Sequence, residues 1–246
     1  MTDVRPRRPA FYAAAPGSRW RDWWTVLHPP YTAWHLSYVV VGAALAPRPS
    51  VVPLAATLIA FFLAVGVAAH VLDELHGRPL GTAIPKSHLL TAAAIGLAGA
   101  IALGIAGVAR QGPVLIPFIV VGGFLVVAYN AELFGKKLHN DVVFAAAWGA
   151  FPVLTAYAAE ARSIGLSAVL AAVGAFGFST AQRSLSTPAR LLRRSAESVE
   201  GWIVLGDGTR RRLDDEAVLQ PLERALRALS WSLVLLAAAL AFDRLG

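Results

Sequence analysis

Residues 68–82 read AAHVLDELHGRPLGT. Immediately upstream, residues 54–69 read LAATLIAFFLAVGVAA and carry no charge. The chain then adds His70, Asp73, Glu74, His76 and Arg78 in quick succession. An apolar run that ends in a knot of ionisable groups is a helix leaving a membrane, the edge of a reaction site, or both. The rest of the sequence decides between these.

The chain has 246 residues, of which 57% are hydrophobic and 15% charged. Its mean hydropathy is +0.58. Soluble domains carry nearer 25% charged residues. Apolar windows recur at 31–46, 51–72, 89–109, 113–131, 142–159, 165–181 and 226–242. At about 1.5 Å rise per residue, helices of ~20 residues cross a hydrocarbon core ~30 Å thick. A soluble α/β fold would leave too little polar surface to cover the outside. The expected fold class is therefore all-α, a polytopic transmembrane helical bundle of about seven spans, with a small cytoplasmic hairpin-and-helix insert.

Charge sets the expected orientation. Of 22 lysines and arginines, all but Arg48, Arg110, Arg162 and Arg244 fall in the N-terminal segment or in the loops after the second, fourth and sixth windows. By the positive-inside rule, the N-terminus and those loops lie in the cytoplasm and the protein in the cell membrane. The net charge of +7 is then explained by topology and by attraction to anionic headgroups, with the lipid bilayer as partner and no call for nucleic acid. Cysteine is absent, which excludes disulfides, thiolate metal sites and a cysteine nucleophile. The basic N-terminus lacks the apolar region of a cleavable signal peptide.

Four regions follow. Residues 1–30 form a basic arm and an amphipathic interfacial helix, SRWRDWWTVL, with Trp20, Trp23, Trp24 and Leu27 on one stripe. Residues 31–182 form a transmembrane core of six spans. Residues 183–225 form an Arg-rich cytoplasmic loop, in which Gly206-Asp207-Gly208 supplies hairpin turn chemistry and a following helix is interrupted at Pro221. Residues 226–246 form the last span.

Ionisable groups at membrane depth are functional candidates. On a helix, His70, Asp73, Glu74 and Gly77 share one face. Glu132 closes the fourth window within AYNAELF, an otherwise apolar stretch, and His139 follows. His70, Asp73, Glu74, Glu132 and His139, with His35 or His76, make a mixed nitrogen and oxygen set of the kind that suits Fe, Mn or Zn. The stretch after the sixth window, FSTAQRSLSTPARLLRR, supplies Gln182, Arg183, Arg190, Arg193 and Arg194 and no carboxylate.

The order of these motifs resembles the UbiA-type intramembrane prenyltransferase superfamily. HPPYTAWHLSYVVVGAALA is similar to that family's first helix. HVLDELHGRPLGT resembles its first aspartate-rich motif, with Asp73 at an aspartate position and Arg78-Pro79-Leu80 at the tail. YNAELFGKKLHNDVVFAAAWGAFPVL resembles its tyrosine–lysine stretch. The family's second aspartate motif is replaced by AQRSLSTPARLLRR. The resemblance implies a divergent transferase, or related enzyme, acting on an isoprenoid diphosphate at the cytoplasmic mouth of an apolar cavity. It implies Mg²⁺ held by Asp73 and Glu74 and phosphate held by Lys136, Lys137 and Arg183. Beside these, Glu132, in its apolar surroundings, is expected as a further catalytic residue, and Arg78, Tyr129 and Asn130 as further substrate contacts. Two other functions fit the same residues: an intramembrane metalloenzyme with a His/carboxylate site for Fe, Mn or Zn, and a non-catalytic lipid-binding membrane protein.

Overall fold

The structure, a computed structural model, describes residues 10–14, 18–135 and 137–245. Lys136 and most of the basic arm lie outside the described residues. The chain is 75% helical. Its elements are α1 (Arg19–Leu27), α2 (Pro29–Ala44), α3 (Val51–Leu75), α4 (Lys86–Gln111), α5 (Pro113–Asn130), α6 (Asp141–Ala161), α7 (Leu166–Arg194), β1 (Gly201–Val204), β2 (Arg210–Leu213) and α8 (Asp215–Leu245).

Helices α3, α4, α5, α6 and α8 are long and apolar enough to cross a membrane. Their outward faces carry large apolar side chains, including Ile95, Ile105, Val120, Leu235 and Leu236, each more than half exposed. Continuous helices bearing such a surface are the form a chain takes in lipid, because every backbone group is satisfied within the segment. Seven spans were expected, and five helices meet the requirement by themselves. The other two windows are α2 and α7. Helix α2 has 16 residues, about 24 Å of rise, and half of its side chains are buried inside the bundle. Helix α7 has 29 residues, but its second half carries Arg183, Arg190, Arg193 and Arg194.

Helix α2 is the central post, packed against α6 and α8. Close approach requires glycine. A Cβ on Gly42 of α2 would lie 2.2 Å from the Val153 carbonyl oxygen of α6, and one on Gly149 of α6 would lie 2.6 Å from the Ala175 carbonyl oxygen of α7. Small residues at such crossings let membrane helices gain van der Waals contact without a hydrophobic driving force between them. The core beside these crossings contains Trp34, Tyr38, Val153, Ala172, Ala175 and Leu233.

Two helices contain π-helical turns, Phe62–Ala69 in α3 and Ala146–Ala150 in α6. Such turns concentrate at functional sites, where they redirect side chains and free carbonyls.

Two features differ from the sequence expectation. The 183–225 loop contracts to 195–214, because α7 continues to Arg194 through Pro188 and α8 begins at Asp215 and runs unbroken through Pro221. Ala, Leu and Arg flank both prolines and favour helix strongly enough to carry the missing hydrogen bond. Ser18 caps α1 as expected, but the tryptophan stripe is split. Trp23 packs on Val26, Val71, Ile84 and Leu89, while Trp20 and Trp24 are exposed.

Candidate functional site

The candidate site is a polar pocket at one end of the bundle, where α2, α3, α5, α6 and α7 converge. Each helix contributes its last or first polar turn. His28, Tyr31 and His35 come from the start of α2, His70 and Asp73 from the end of α3, and Tyr129 and Asn130 from the end of α5. Helix α7 lends a stripe of Gln182, Arg183, Ser186, Arg190, Arg193 and Arg194. Tyr12 closes the rim from the N-terminal segment, which is held down by the Ala14 N–H on Thr25 Oγ1 and the Trp24 indole N–H on the Tyr12 carbonyl.

The electrostatic balance is cationic. Among the described residues, four arginines line the pocket, with Asp73 as the lining carboxylate. Arg183 pairs with Asp141 at 2.7 Å and Arg193 with Glu223 at 2.7 Å. The guanidinium of Arg190 donates to Thr187 Oγ1 at 3.4 Å. Burial is what makes this charge effective, since a low-dielectric surround strengthens every electrostatic contact.

The histidines are fixed by backbone carbonyls. His35 Nδ1 lies 2.9 Å from the Trp148 carbonyl, and His139 Nδ1 lies 3.2 Å from the Tyr129 carbonyl. A carbonyl only accepts, so each ring presents an N–H at Nδ1. His70 sits between two carbonyls, with Gly66 at 3.1 Å from Nδ1 and Leu27 also in reach. Its ring lies 4.5 Å from that of His28. His28, at the αL corner between α1 and α2 (φ 46°), is held neutral: burial, then the neighbouring His70, push its pKa well below 6.5. Burial likewise pushes the Tyr12 hydroxyl up to about 12.

Several buried polar atoms facing this pocket have no partner within the described residues: His28 Nδ1, the hydroxyls of Tyr31 and Tyr129, and Gln182 Oε1. Buried polar groups are nearly always satisfied. Four such atoms converging on one pocket mark a place built for a polar ligand or ordered water.

A second cavity adjoins it. An apolar groove runs between α3, α4, α5 and α6, lined by groups such as Ala64, Leu97, Phe118, Gly122 and Phe151. Val65 and Trp148 belong to both cavities, each from a π-helical segment.

Of the residues given a site role from the sequence, His35, His70, Asp73, Tyr129, Asn130, His139 and Arg183 line the pocket. Glu74, His76, Arg78, Glu132 and Lys137 do not line it. Glu74 was expected on the same face as His70 and Asp73. It is fully buried, and its carboxylate accepts from Leu80 N–H (2.9 Å), Thr82 N–H (3.0 Å) and Thr82 Oγ1 (2.8 Å). Arg78 donates to the Thr82 and Ile84 carbonyls, and Asp22 of α1 accepts from Ala83 N–H. The ELHGRPLGT segment is thus a loop clasped by its own charges. Glu132 pairs with His76 at 3.0 Å, joining the loops after α3 and α5. Lys137 is exposed, and Lys136 lies outside the described residues.

For Mg²⁺, the described lining residues offer one carboxylate, Asp73, beside neutral oxygens such as those of Asn130 and Gln182. Among the described residues no three His, Cys, Asp or Glu side chains converge as a metal-holding group. Tying a ring N–H to a carbonyl, as His35 and His139 do, is how metal-bound histidines are oriented, but it equally orients a neutral base. His28, Tyr31, Gln182, Ser186, Arg190, Arg193 and Arg194 join the site without having been assigned to it from the sequence. Their signal was periodicity: Gln182, Ser186, Arg190 and Arg193 recur at three- and four-residue steps on α7. Compared with family models, with curated proteins and with solved structures, the chain matches none, so the residues of the two adjoining cavities carry the functional assignment.

Proposed function

We propose that this membrane protein binds an isoprenoid diphosphate, or a lipid with a similarly anionic head, and acts on it as a divergent transferase of the UbiA type. The observation that carries the reading is the adjacency of the two cavities. An arginine-lined pocket and an apolar groove share Val65 and Trp148 in their linings, so a polar head and an apolar chain would each find a matching surface within one ligand's reach. The head would meet Arg190 and Arg194, with Arg183 and Arg193 behind them. The chain would lie along the groove between α3 and α5.

In this reading the arginines take the place of the missing second acidic motif. They stabilise negative charge as the allylic carbon–oxygen bond breaks and the electron pair leaves on the diphosphate. The rings of Tyr31 and Tyr129 face the developing cation, and Phe144 and Trp148 keep water away from it. His35, tied through its Nδ1–H, offers Nε2 to the proton that an acceptor loses. The same reading takes α2 and α7 as two further spans, giving seven, with the N-terminus and the pocket on the cytoplasmic side. Its support is the charge asymmetry between alternate loops and the packing of α2 between α6 and α8.

The test is calorimetric titration of the purified protein with farnesyl diphosphate, inorganic diphosphate and farnesol, each with and without Mg²⁺. The reading expects farnesyl diphosphate to bind more tightly than either half alone, and Arg190→Gln to weaken it. Equal binding of farnesyl diphosphate and farnesol would overturn it, because the arginine pocket would then contribute nothing.

A further inference from the structure

Among the described residues, nothing covers the β1–β2 hairpin. Gly201 pairs with Leu213, Trp202 with Arg212, Ile203 with Arg211 and Val204 with Arg210. Every residue from Trp202 to Arg212 is exposed, and the two strands form a sheet by themselves. An isolated two-stranded hairpin is marginal in water and gains stability from further strands. Its turn is well made. Gly208 takes φ +82°, Asp207 accepts from Thr209 N–H at 2.8 Å, and Leu205 N–H donates to the Thr209 carbonyl at 2.8 Å.

The two edges of this sheet are chemically opposite. β2 carries Arg210, Arg211 and Arg212, the charged guard that natural edge strands use against pairing. β1 continues as Gly201-Trp202-Ile203-Val204-Leu205 with no charge at all, and Trp202 and Val204 are 60% and 61% exposed. We infer that β1 is the edge through which two copies of this chain join their hairpins into one four-stranded sheet.

Hydrogen-bond phase supports a particular register. Leu205 turns its N–H toward β2. Backbone groups alternate in direction along a strand, so Ile203 and Gly201 also face β2, while Trp202 and Val204 direct theirs to the open edge. Two antiparallel β1 strands related by a two-fold axis at Ile203 would place Trp202 opposite Val204 of the second copy and Val204 opposite its Trp202. Both would be hydrogen-bonded pairs that use those outward groups. Ile203 would meet its own equivalent as a non-hydrogen-bonded pair, with Cα atoms about 4.5 Å apart.

Charge selects the same arrangement. Pairing through β2 would set the arginines of both copies against each other. Pairing through β1 sends the two arginine rows to the outer edges, about 14 Å apart at three strand spacings, well beyond the ~8 Å screening length of physiological salt. A two-fold axis along the membrane normal keeps both hairpins at one height, since both copies are anchored in the same bilayer by their apolar helices.

The natural chain has no cysteine, so a single introduced thiol reports the register. Ile203→Cys, Trp202→Cys and Val204→Cys are reconstituted separately into liposomes and oxidised with copper phenanthroline. Ile203→Cys should give covalent dimer at least about fivefold faster than the other two, because only its sulfurs meet within disulfide geometry. A mixture of Trp202→Cys with Val204→Cys copies should give the mixed dimer. Adding Val204→Pro to Ile203→Cys removes an outward N–H without touching the β1–β2 ladder, and should abolish the cross-link. Equal rates at the three positions, no dimer at any, or a cross-link that survives Val204→Pro would each overturn the inference. In the first case the contact is collisional, and in the second β1 serves some other strand or none.

Discussion

Glu74→Gln separates a structural carboxylate from a catalytic one. Glu74 sits one residue from the pocket-lining Asp73, yet its two oxygens accept three hydrogen bonds from the 80–82 backbone and the Thr82 hydroxyl at 2.8–3.0 Å. Glutamine keeps the shape but replaces one acceptor oxygen by an NH₂ group, which then faces a donor. A lost charge-assisted hydrogen bond is worth about 1.5–3 kcal/mol, and a buried donor left without a partner costs about 1–3 kcal/mol. The two overlap, so about 3 kcal/mol is expected. For a chain of this size that is a fall in Tm of roughly 6–12 °C, read by circular dichroism in detergent. Binding of farnesyl diphosphate measured well below the new Tm should be unchanged. Asp73→Asn should show the reverse: little change in Tm and altered binding. If Glu74→Gln melts with the parent but loses binding, its carboxylate serves the pocket rather than the loop, and the clasp described above is wrong.

Three further outcomes are expected. Arg190→Gln and Arg194→Gln should each weaken farnesyl diphosphate about ten- to a hundredfold in calorimetric titration, the worth of one charge-assisted hydrogen bond, with Tm held; unchanged affinity would remove the head from that end of the pocket. Gly42→Ala places a Cβ 2.2 Å from the Val153 carbonyl and forces α2 off α6, so Tm should fall by an amount matching the ~1–3 kcal/mol of overpacking; a Tm equal to the parent's would contradict the close crossing. His28 is held neutral in the folded protein, below its ordinary pKa of 6.5. Above pH 6.5 it is neutral folded or unfolded and contributes nothing; as pH falls below 6.5 the unfolded chain takes up a proton that the folded one refuses, and stability is lost. His28→Asn, which tolerates the αL corner, should therefore show a smaller decline in Tm between pH 7.5 and 5 than the parent, and an equal decline would show that His28 plays no part.

What was legible in the sequence was whatever periodicity and hydropathy encode. The apolar windows became helices, Ser18 became a cap, and Gly206-Asp207-Gly208 became a turn. His70 and Asp73 emerged as pocket residues because their spacing defines a helix face. Glu74 shares that spacing, but its partners are backbone N–H groups eight or fewer residues ahead, and side-chain patterns do not reveal such bonds. Arg190, Arg193 and Arg194 were hidden by a competing explanation, since arginines near a membrane exit serve topology equally well. Their three- and four-residue recurrence with Gln182 and Ser186 pointed inward all along. His28 falls between the amphipathic helix and the first apolar window, where no periodicity marks it, and the αL corner between α1 and α2 brings its ring to 4.5 Å from that of His70.

The π-helical turns carry a further consequence. An α-helix advances about 100° per residue, and a π turn holds an additional residue within one turn. Phe62–Ala69 therefore behaves as a single-residue insertion absorbed in the middle of α3, and Ala146–Ala150 as another in α6. A chain with one residue removed from that segment would present the groove-lining Ala60 and the pocket-lining Asp73 with the same relative orientation from a straight helix one residue shorter.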